Sequence, residues 1–190
     1  ALHVKPSHLI LDLCAAPGGK TTHLAELTND SATILAVDRD DDRLGKLRES
    51  IARLGMKSIA CMVADATAED SVKGVAPAPF DRVLVDVPCS NTGVLARRPE
   101  AKSRFDAAHL ADLVALQKQI LAQAYTRLYP GGLLCYSTCS LEPEENEEQV
   151  RAFLAVHHDL ELIEEKLTLP AHGAGDGGYY AVVKRKAEQA

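Results

Sequence analysis

No apolar run in the 190-residue sequence approaches the roughly 20 residues needed to span a bilayer, and no signal-peptide pattern opens the chain. No membrane partner is expected. Paired CxxC spacing is missing as well. The five cysteines stand at 14, 61, 89, 135 and 139, an odd set that matches neither a zinc site nor a disulfide framework. No metal is expected, and a reduced, cytoplasmic setting is, so each thiol is weighed as packing or as nucleophile. The chain also lacks an excess of positive charge. With 21 Lys and Arg against 27 Asp and Glu, its net charge of −6 excludes nucleic-acid binding over the whole surface, because phosphate neutralisation needs clustered cations. An initiator methionine is absent, and residues 1–8 lead almost at once into a strand. The chain therefore reads as a domain cut from a longer one.

What is present is an alternation of strands and helices. Leu9–Cys14, Thr33–Asp38, Ile59–Ala64, Asp81–Asp86 and Leu133–Ser137 read as buried strands, several of them apolar on both faces as in a helix-covered parallel sheet. Asp41–Leu54 puts Leu44, Leu47, Ile51 and Leu54 on one helical face, with acids at its start and Gly55 as its stop. Ala107–Leu128 carries Leu110, Leu113, Val114, Ile120, Leu121 and Leu128 on a stripe, and Pro130-Gly131-Gly132 is expected to end it. Glu144–Val156 is another helix, with Pro143 suited to its start. Gly173–Tyr180 predicts a turn into a last, antiparallel strand, Gly178–Lys184. Its Tyr179 and Tyr180 are read as core packing, with lining of the site as the alternative. There is no repeat and no sign of a second domain, so residues 1–190 are expected to form one doubly wound α/β domain.

Ligands of such folds bind at the carboxyl ends of the strands. Those ends present Cys14–Lys20, Asp38, Asp65, Asp86-Val87-Pro88-Cys89 and Ser137–Ser140, with Asp12 just inside. The first turn is glycine-rich, so backbone can approach a ligand closely. A P-loop is excluded, since Cys14 stands at its first glycine position and Pro17 removes an amide. The dinucleotide fingerprint is absent, which excludes a nucleotide-dependent oxidoreductase. Yet Asp38 stands where an acid accepts hydrogen bonds from a ribose. A nucleoside without a pyrophosphate satisfies both facts, and S-adenosylmethionine is such a ligand. Asp65 is placed to take its adenine amino group; the alternative is that Asp38 and Asp65 cap helices.

Cys61 and Cys135 lie within strands and are assigned to packing, as is Cys14 beside the turn. Cys89 and Cys139 sit among polar turn residues instead. A thiolate that adds to C6 of cytosine makes C5 enamine-like, able to attack a sulfonium methyl. Cys139 precedes the helix expected at Pro143, whose first amides would favour a thiolate. Glu142, Glu144, Glu145, Glu147 and Glu148 follow closely and are expected to point to solvent. Chemistry alone leaves the choice between Cys139 and Cys89 open.

In these segments the chain resembles the Nol/Nop/Sun family of RNA cytosine-C5 methyltransferases, and looks closest to its bacterial ribosomal-RNA branch (Sun/RsmB/Fmu). The matching pieces are DLCAAPGGKT at 12–21, AVDRD at 36–40, DVPCSNTGV at 86–94 and YSTCSLEPEENE at 136–147. They occur in family order, and the resemblance covers nearly the whole chain. It implies a Rossmann-like class I S-adenosylmethionine-dependent methyltransferase fold: a mostly parallel seven-stranded sheet, helices on both faces and an antiparallel last strand. The implied reaction is methylation of C5 of cytosine in RNA, with ribosomal RNA as the expected partner and S-adenosylmethionine as cofactor. The resemblance makes Cys139 the nucleophile, Cys89 an aid to product release, Asp86 a hydrogen-bond partner of the cytosine's polar edge, and Pro88 the shaper of that turn. It assigns cofactor contacts to Ala15, Ala16, Pro17, Gly18, Gly19, Lys20, Asp38, Arg43, Asp65 and Asp86. Lys20 is also placed near the reacting centre, where a cation favours a thiolate.

The basic segment Leu95–Phe105 resembles the family's basic loop, and Arg97, Arg98, Lys102 and Arg104 are expected to meet RNA phosphates, with a solvated loop as the alternative. Asn91 replaces a frequent glycine but tolerates a left-handed turn, and Ser103 replaces a frequent aromatic. The family's helix before the first strand and its amino-terminal RNA-binding region are expected to lie upstream of the residues given, and a monomer is expected. Rival readings are methylation of tRNA or DNA, and an inactive S-adenosylmethionine-binding partner module. The two cysteines argue against methylation of an amine or hydroxyl, which needs no covalent thiol.

Overall fold

The short apolar runs become five adjacent strands of a seven-stranded sheet, seen in a computed structural model that describes residues 1–69, 79–171 and 175–187. The strands are β1 (Leu9–Leu13), β2 (Thr33–Asp38), β3 (Ile59–Val63), β4 (Phe80–Asp86), β5 (Leu128–Thr138), β6 (Leu160–Thr168) and β7 (Gly178–Arg185), in the order β3-β2-β1-β4-β5-β7-β6. Strands β1 to β5 pair in parallel, and β7 runs antiparallel to both β5 and β6. This is the Rossmann-like arrangement expected. The helices are α1 (Gly19–Leu27), α2 (Asp41–Leu54), α3 (Glu100–Arg104), α4 (Ala107–Thr126) and α5 (Glu147–Val156). Among the described residues no helix is long and apolar enough to cross a membrane. Positions 173–174 of the expected turn lie outside the described residues.

Side-chain alternation divides the core into two layers. Leu11, Leu13, Val83, Val85, Leu134 and Tyr136 pack with Ile120, Leu121 and Ala124 of α4 and Val150 and Phe153 of α5. On the other face Ile10, Ile34, Leu84, Cys135 and Val182 pack with Leu24 and Ala25 of α1. Helix α2 is capped at both ends: the Asp40 carboxylate accepts from Arg43 N at 3.0 Å, and Gly55 turns left-handed at φ 69°. Its buried stripe is narrower than the sequence predicts, for Ile51 is half-buried and Leu54 exposed.

Three local expectations need correction. Helix α4 ends at Thr126, and Leu128 is the buried first residue of β5. Pro130-Gly131-Gly132 therefore does not end the helix. It forms a bulge, since Phe80 pairs with Leu128 and Arg82 with Leu133. Residues Pro143–Glu145 form a 3₁₀ turn, and α5 starts only at Glu147. Strand β6 was not among the runs singled out above. It is an edge strand with only Leu160 buried, and a register shift between Leu162 and Glu164 breaks its alternation.

The turn after β1 has two demanding positions. Gly18 has φ 107°, and a Cβ there would lie 2.3 Å from Leu47 Cδ1, whereas one on Gly19 would meet nothing within 4 Å. Gly18→Ala should therefore lower stability by about 2 kcal/mol or more, read as a shift of the urea midpoint, with Gly19→Ala near wild type. Asp12 is buried under the same turn. One oxygen accepts from Thr21 Oγ1 at 2.6 Å and the other has no hydrogen-bond partner. Burial chiefly pushes its carboxyl up to about 7. The folded chain then holds a proton that the unfolded chain has lost above pH ~4, so stability falls as pH rises from about 4 to about 7. Asp12→Asn should stabilise the chain by about 2–4 kcal/mol at pH 8 and by little at pH 4, measured by urea unfolding at both values.

Candidate active site

Cys14 turns the chain out of β1 at φ 66°. Ala15 N then donates to Val37 O at 2.9 Å, and Ala16 N donates to Asp38 Oδ2 at 3.0 Å. The other Asp38 oxygen accepts from Asp40 N at 3.0 Å, and the Arg43 guanidinium donates to Ala16 O. Asp38, 4% exposed, and Arg43 thus fasten the Ala15–Lys20 turn to β2 and α2. Asp65 lies in the open and accepts from Thr67 N at 2.9 Å and Thr67 Oγ1 at 2.7 Å, bonds that hold its carboxyl below the usual range.

The neighbouring strand ends carry the reactive groups. In the β4–β5 ladder Asp86 stands opposite Ser137. Ser137 Oγ donates to Asp86 Oδ1 at 2.7 Å, and Lys20 Nζ donates to Asp86 Oδ2 at 2.6 Å. Immediately beyond, Cys89 Sγ and Cys139 Sγ lie 3.0 Å apart. Asn91 sits in the left-handed region at φ 63°, as its substitution for glycine requires, and its Nδ2 donates to Cys89 O at 2.7 Å. Gly93 N donates to Cys139 O at 2.9 Å, and a Cβ on Gly93 would approach Cys139 O to 2.9 Å.

Only one sulfur of so close a pair can readily lose its proton. The Cys89 thiol donating to Cys139 lowers the Cys139 pKa, with Lys20 assisting and burial and Asp86 opposing. The same bond, with burial, raises Cys89 above an ordinary thiol. Two contacts pull the other way: Cys139 N donates to Cys89 Sγ at 3.3 Å, and Asn91 Oδ1 faces Cys139 Sγ at 3.1 Å. Burial decides in favour of Cys139, because Cys89 is only 8% exposed while Cys139 is half-buried and opens onto two cavities. Cys14 and Cys135 are pushed up to about 12 and about 11 by burial, which suits packing.

A cavity of about 590 Å³ runs from Cys14, Ala16, Pro17 and Arg43 to Cys89 and Arg98. A second, of about 860 Å³, is lined by Lys20, Leu24, Cys135, Tyr179 and Tyr180. Both share Asp86, Val87, Cys139 and Asp176, so the thiol faces both spaces. Tyr179 is at once core and lining, and donates its hydroxyl to Glu165 at 2.8 Å. Of the basic cluster, Arg97 and Arg98 reach the smaller cavity, whereas Lys102 and Arg104 lie exposed on α3 and line neither. Arg97 Nε is paired with Asp176 Oδ2 at 3.0 Å. The sequence offered no separate signal for Asp176.

Two expectations around Cys139 are corrected. The first amides of the expected helix do not face the thiol: the segment opens as a 3₁₀ turn at Pro143–Glu145, where Glu145 N donates to Glu142 O and Asn146 N to Pro143 O, and the α-helix starts only at Glu147. Nor do all the glutamates point to solvent. Glu144 and Glu148 do, Glu142 and Glu147 are half-buried, and Glu145 is fully buried.

The profile of the 16S rRNA methyltransferase RsmB/F family matches residues 1–183. The chain is 42% identical over 184 residues to ribosomal RNA small subunit methyltransferase B of Yersinia pseudotuberculosis serotype O:1b (strain IP 31758), an alignment covering 93% of this chain and 42% of that protein. It thus spans less than half the length of this curated relative. NSun6 from Pyrococcus horikoshii superposes with a TM-score of 0.86 at 31% identity, covering 99% of this chain and 50% of that one. A methyltransferase homolog protein from Pyrococcus horikoshii gives 0.82 at 29% identity, covering 97% and 63%. A match over nearly the whole sequence, on a fold shared this closely, means that the chain belongs to the 16S rRNA methyltransferase RsmB/F family.

Proposed function

We propose that this chain methylates C5 of cytosine in RNA, ribosomal RNA being the substrate, from S-adenosylmethionine and through a covalent bond between Cys139 and C6. The observation that carries this reading is the pair of sulfurs 3.0 Å apart beside the Lys20–Asp86 ion pair. The name of the Yersinia pseudotuberculosis relative, a small-subunit ribosomal RNA methyltransferase, supports the substrate class.

The residues present fit the cofactor. The β1–α1 turn brings backbone, not bulky side chains, to the rim, since Gly18 has no room for a Cβ and Gly19 faces open space. Ala15, Ala16, Pro17, Gly18, Gly19 and Lys20 would hold it, with Asp38, Arg43, Asp65 and Asp86 around them. When bound there, S-adenosylmethionine supplies an electrophilic sulfonium methyl group for C5.

Cys139, with the Cys89 thiol and Lys20 favouring its thiolate, adds its sulfur to C6 and turns C5 into an enamine carbon. Asp86 hydrogen-bonds the polar edge of the ring and so stabilises the adduct. A base then takes the C5 proton, the electrons of that C–H bond re-form the C5–C6 double bond, and the Cys139 sulfur leaves with its own bonding pair. Cys89, protonated and in contact with that sulfur, assists the release. Arg97, Arg98, Lys102 and Arg104 meet the RNA phosphates, Arg97 after exchanging Asp176 for a phosphate.

Protein-free ribosomal RNA incubated with S-adenosylmethionine should acquire 5-methylcytosine. Cys139→Ala should lower the rate by about a thousandfold or more, and Cys89→Ala should accumulate a covalent protein–RNA adduct on a denaturing gel. Activity retained by Cys139→Ala overturns the nucleophile. Cofactor binding without methylation by any variant favours an inactive binding module. The lowered Cys139 pKa also has a kinetic signature. Adduct formation should climb with pH and level off below the value of about 8.5 typical of a free thiol. Lys20→Met, which removes a cation beside the pair, should move that plateau upward in single-turnover pH profiles.

A further inference from the structure

Glu145 is 0% exposed, yet no cation lies within salt-bridge distance of it among the described residues. Burying an ionised carboxylate costs several kcal/mol unless hydrogen bonds satisfy it. Here the donors come from two elements. Ser90 N donates to Oε1 at 2.9 Å, Ser90 Oγ to Oε2 at 2.5 Å, and Gln117 Nε2 of α4 to Oε1 at 2.8 Å. The same Gln117 Nε2 donates to Pro88 O at 2.9 Å. One carboxylate therefore fastens Ser90 directly and Pro88 through Gln117, the two residues that flank Cys89.

The anchor is itself fixed to the segment that carries Cys139. Tyr136 Oη donates to Glu145 O at 2.6 Å. Next to Glu145, Asn146 accepts from Thr138 Oγ1 at 2.6 Å and donates to Ser140 O at 3.1 Å, bracketing Cys139. Ser90 Oγ and Ser140 Oγ lie 3.0 Å apart. If the position only filled space, an apolar side chain would do so without the desolvation cost. What the carboxylate adds is direction, since all its bonds end on or beside the Cys89 turn.

We propose that Glu145 is a positioning residue for the cysteine pair: it holds the Pro88–Ser90 turn so that the Cys89 thiol points at Cys139 Sγ. This deepens the reading in which Cys139 and Cys89 are the reacting pair, and rests on it. The groups facing Cys139 are Cys89 and Asn91 from the turn after β4, Asp86 from β4 and Lys20 from α1, with His3, His23, Arg43 of α2, Arg97, Arg98 and Asp176 on the cavity walls. None belongs to the segment of Glu145. Its effect on Cys139 therefore passes through Cys89.

The test needs neither RNA nor cofactor, so its outcome is separable from that of the methylation assay. The pH dependence of iodoacetamide alkylation is measured at Cys139 and at Cys89, by mass spectrometry of their peptides, in wild type, Glu145→Gln and Ser90→Ala. Glu145→Gln keeps the shape but sets an amide among donors. Ser90→Ala keeps the charge and the Gln117 bond, and serves if the first variant fails to fold. With Cys89 no longer directed at it, the Cys139 midpoint should rise by about half a unit to one unit, and Cys89 should react several-fold faster at fixed pH. Loss of a nearby anion by itself would lower the Cys139 midpoint. A midpoint that is unchanged or lower in the folded variants overturns the proposal.

Discussion

The parallel pairing of β4 with β5 is the constraint on which the rest depends. Opposing Asp86 to Ser137 makes the two chain segments leave the sheet side by side, so residues fifty positions apart bring their sulfurs to 3.0 Å. A slip of one residue would turn every side chain of one strand to the other face and separate the thiols. Burial on both sides of the ladder prevents such a slip. Val83, Val85, Leu134 and Tyr136 commit one face to α4 and α5, and Leu84 and Cys135 commit the other to α1. Position β1 beside β4, and the glycine turn after β1 delivers Lys20 to the same corner.

That corner brings a cation, a carboxylate and two thiols together. Asp86 is shared between Lys20 and Ser137, and the Cys139 thiolate is favoured by the Cys89 thiol and by Lys20. Behind it lies a second layer in which Glu145, Gln117, Tyr136, Asn146 and Thr138 satisfy one another with almost no solvent contact. A network of this kind tolerates little movement, because any lost bond leaves a buried polar group unpaired. The reacting thiols are exposed to ligand on one side and braced on the other.

Strands β1 to β4 and β7 were legible to within a residue, because each is a short run rich in apolar residues bounded by turn signals. Thr33–Asp38 is buried from Ile34 onward, and Phe80–Asp86 buries Phe80 and Val83 to Val85. The edge strand β6 escaped because it buries only Leu160 and its bulge interrupts the alternation. The end of α4 was misplaced for a related reason. Leu128 continues the apolar stripe by spacing, but its burial is supplied by the sheet.

The sequence by itself determined the alternation of strands and helices, the glycine turn that excludes phosphate loops, and the presence of two thiols and several acids at the strand ends. These follow from local facts: side-chain period, backbone freedom at glycine and proline, and residue identity. Only the tertiary structure decided which thiol is the more acidic, because that depends on the unequal burial of Cys89 and Cys139 and on which sulfur donates. It alone turned Glu145 inward, engaged Asp38 with backbone amides and paired Arg97 with Asp176. Apart from the Asp40 amide, two residues from Asp38, these partners come from distant parts of the chain, and hydrogen bonds between distant segments leave no periodic trace in the sequence.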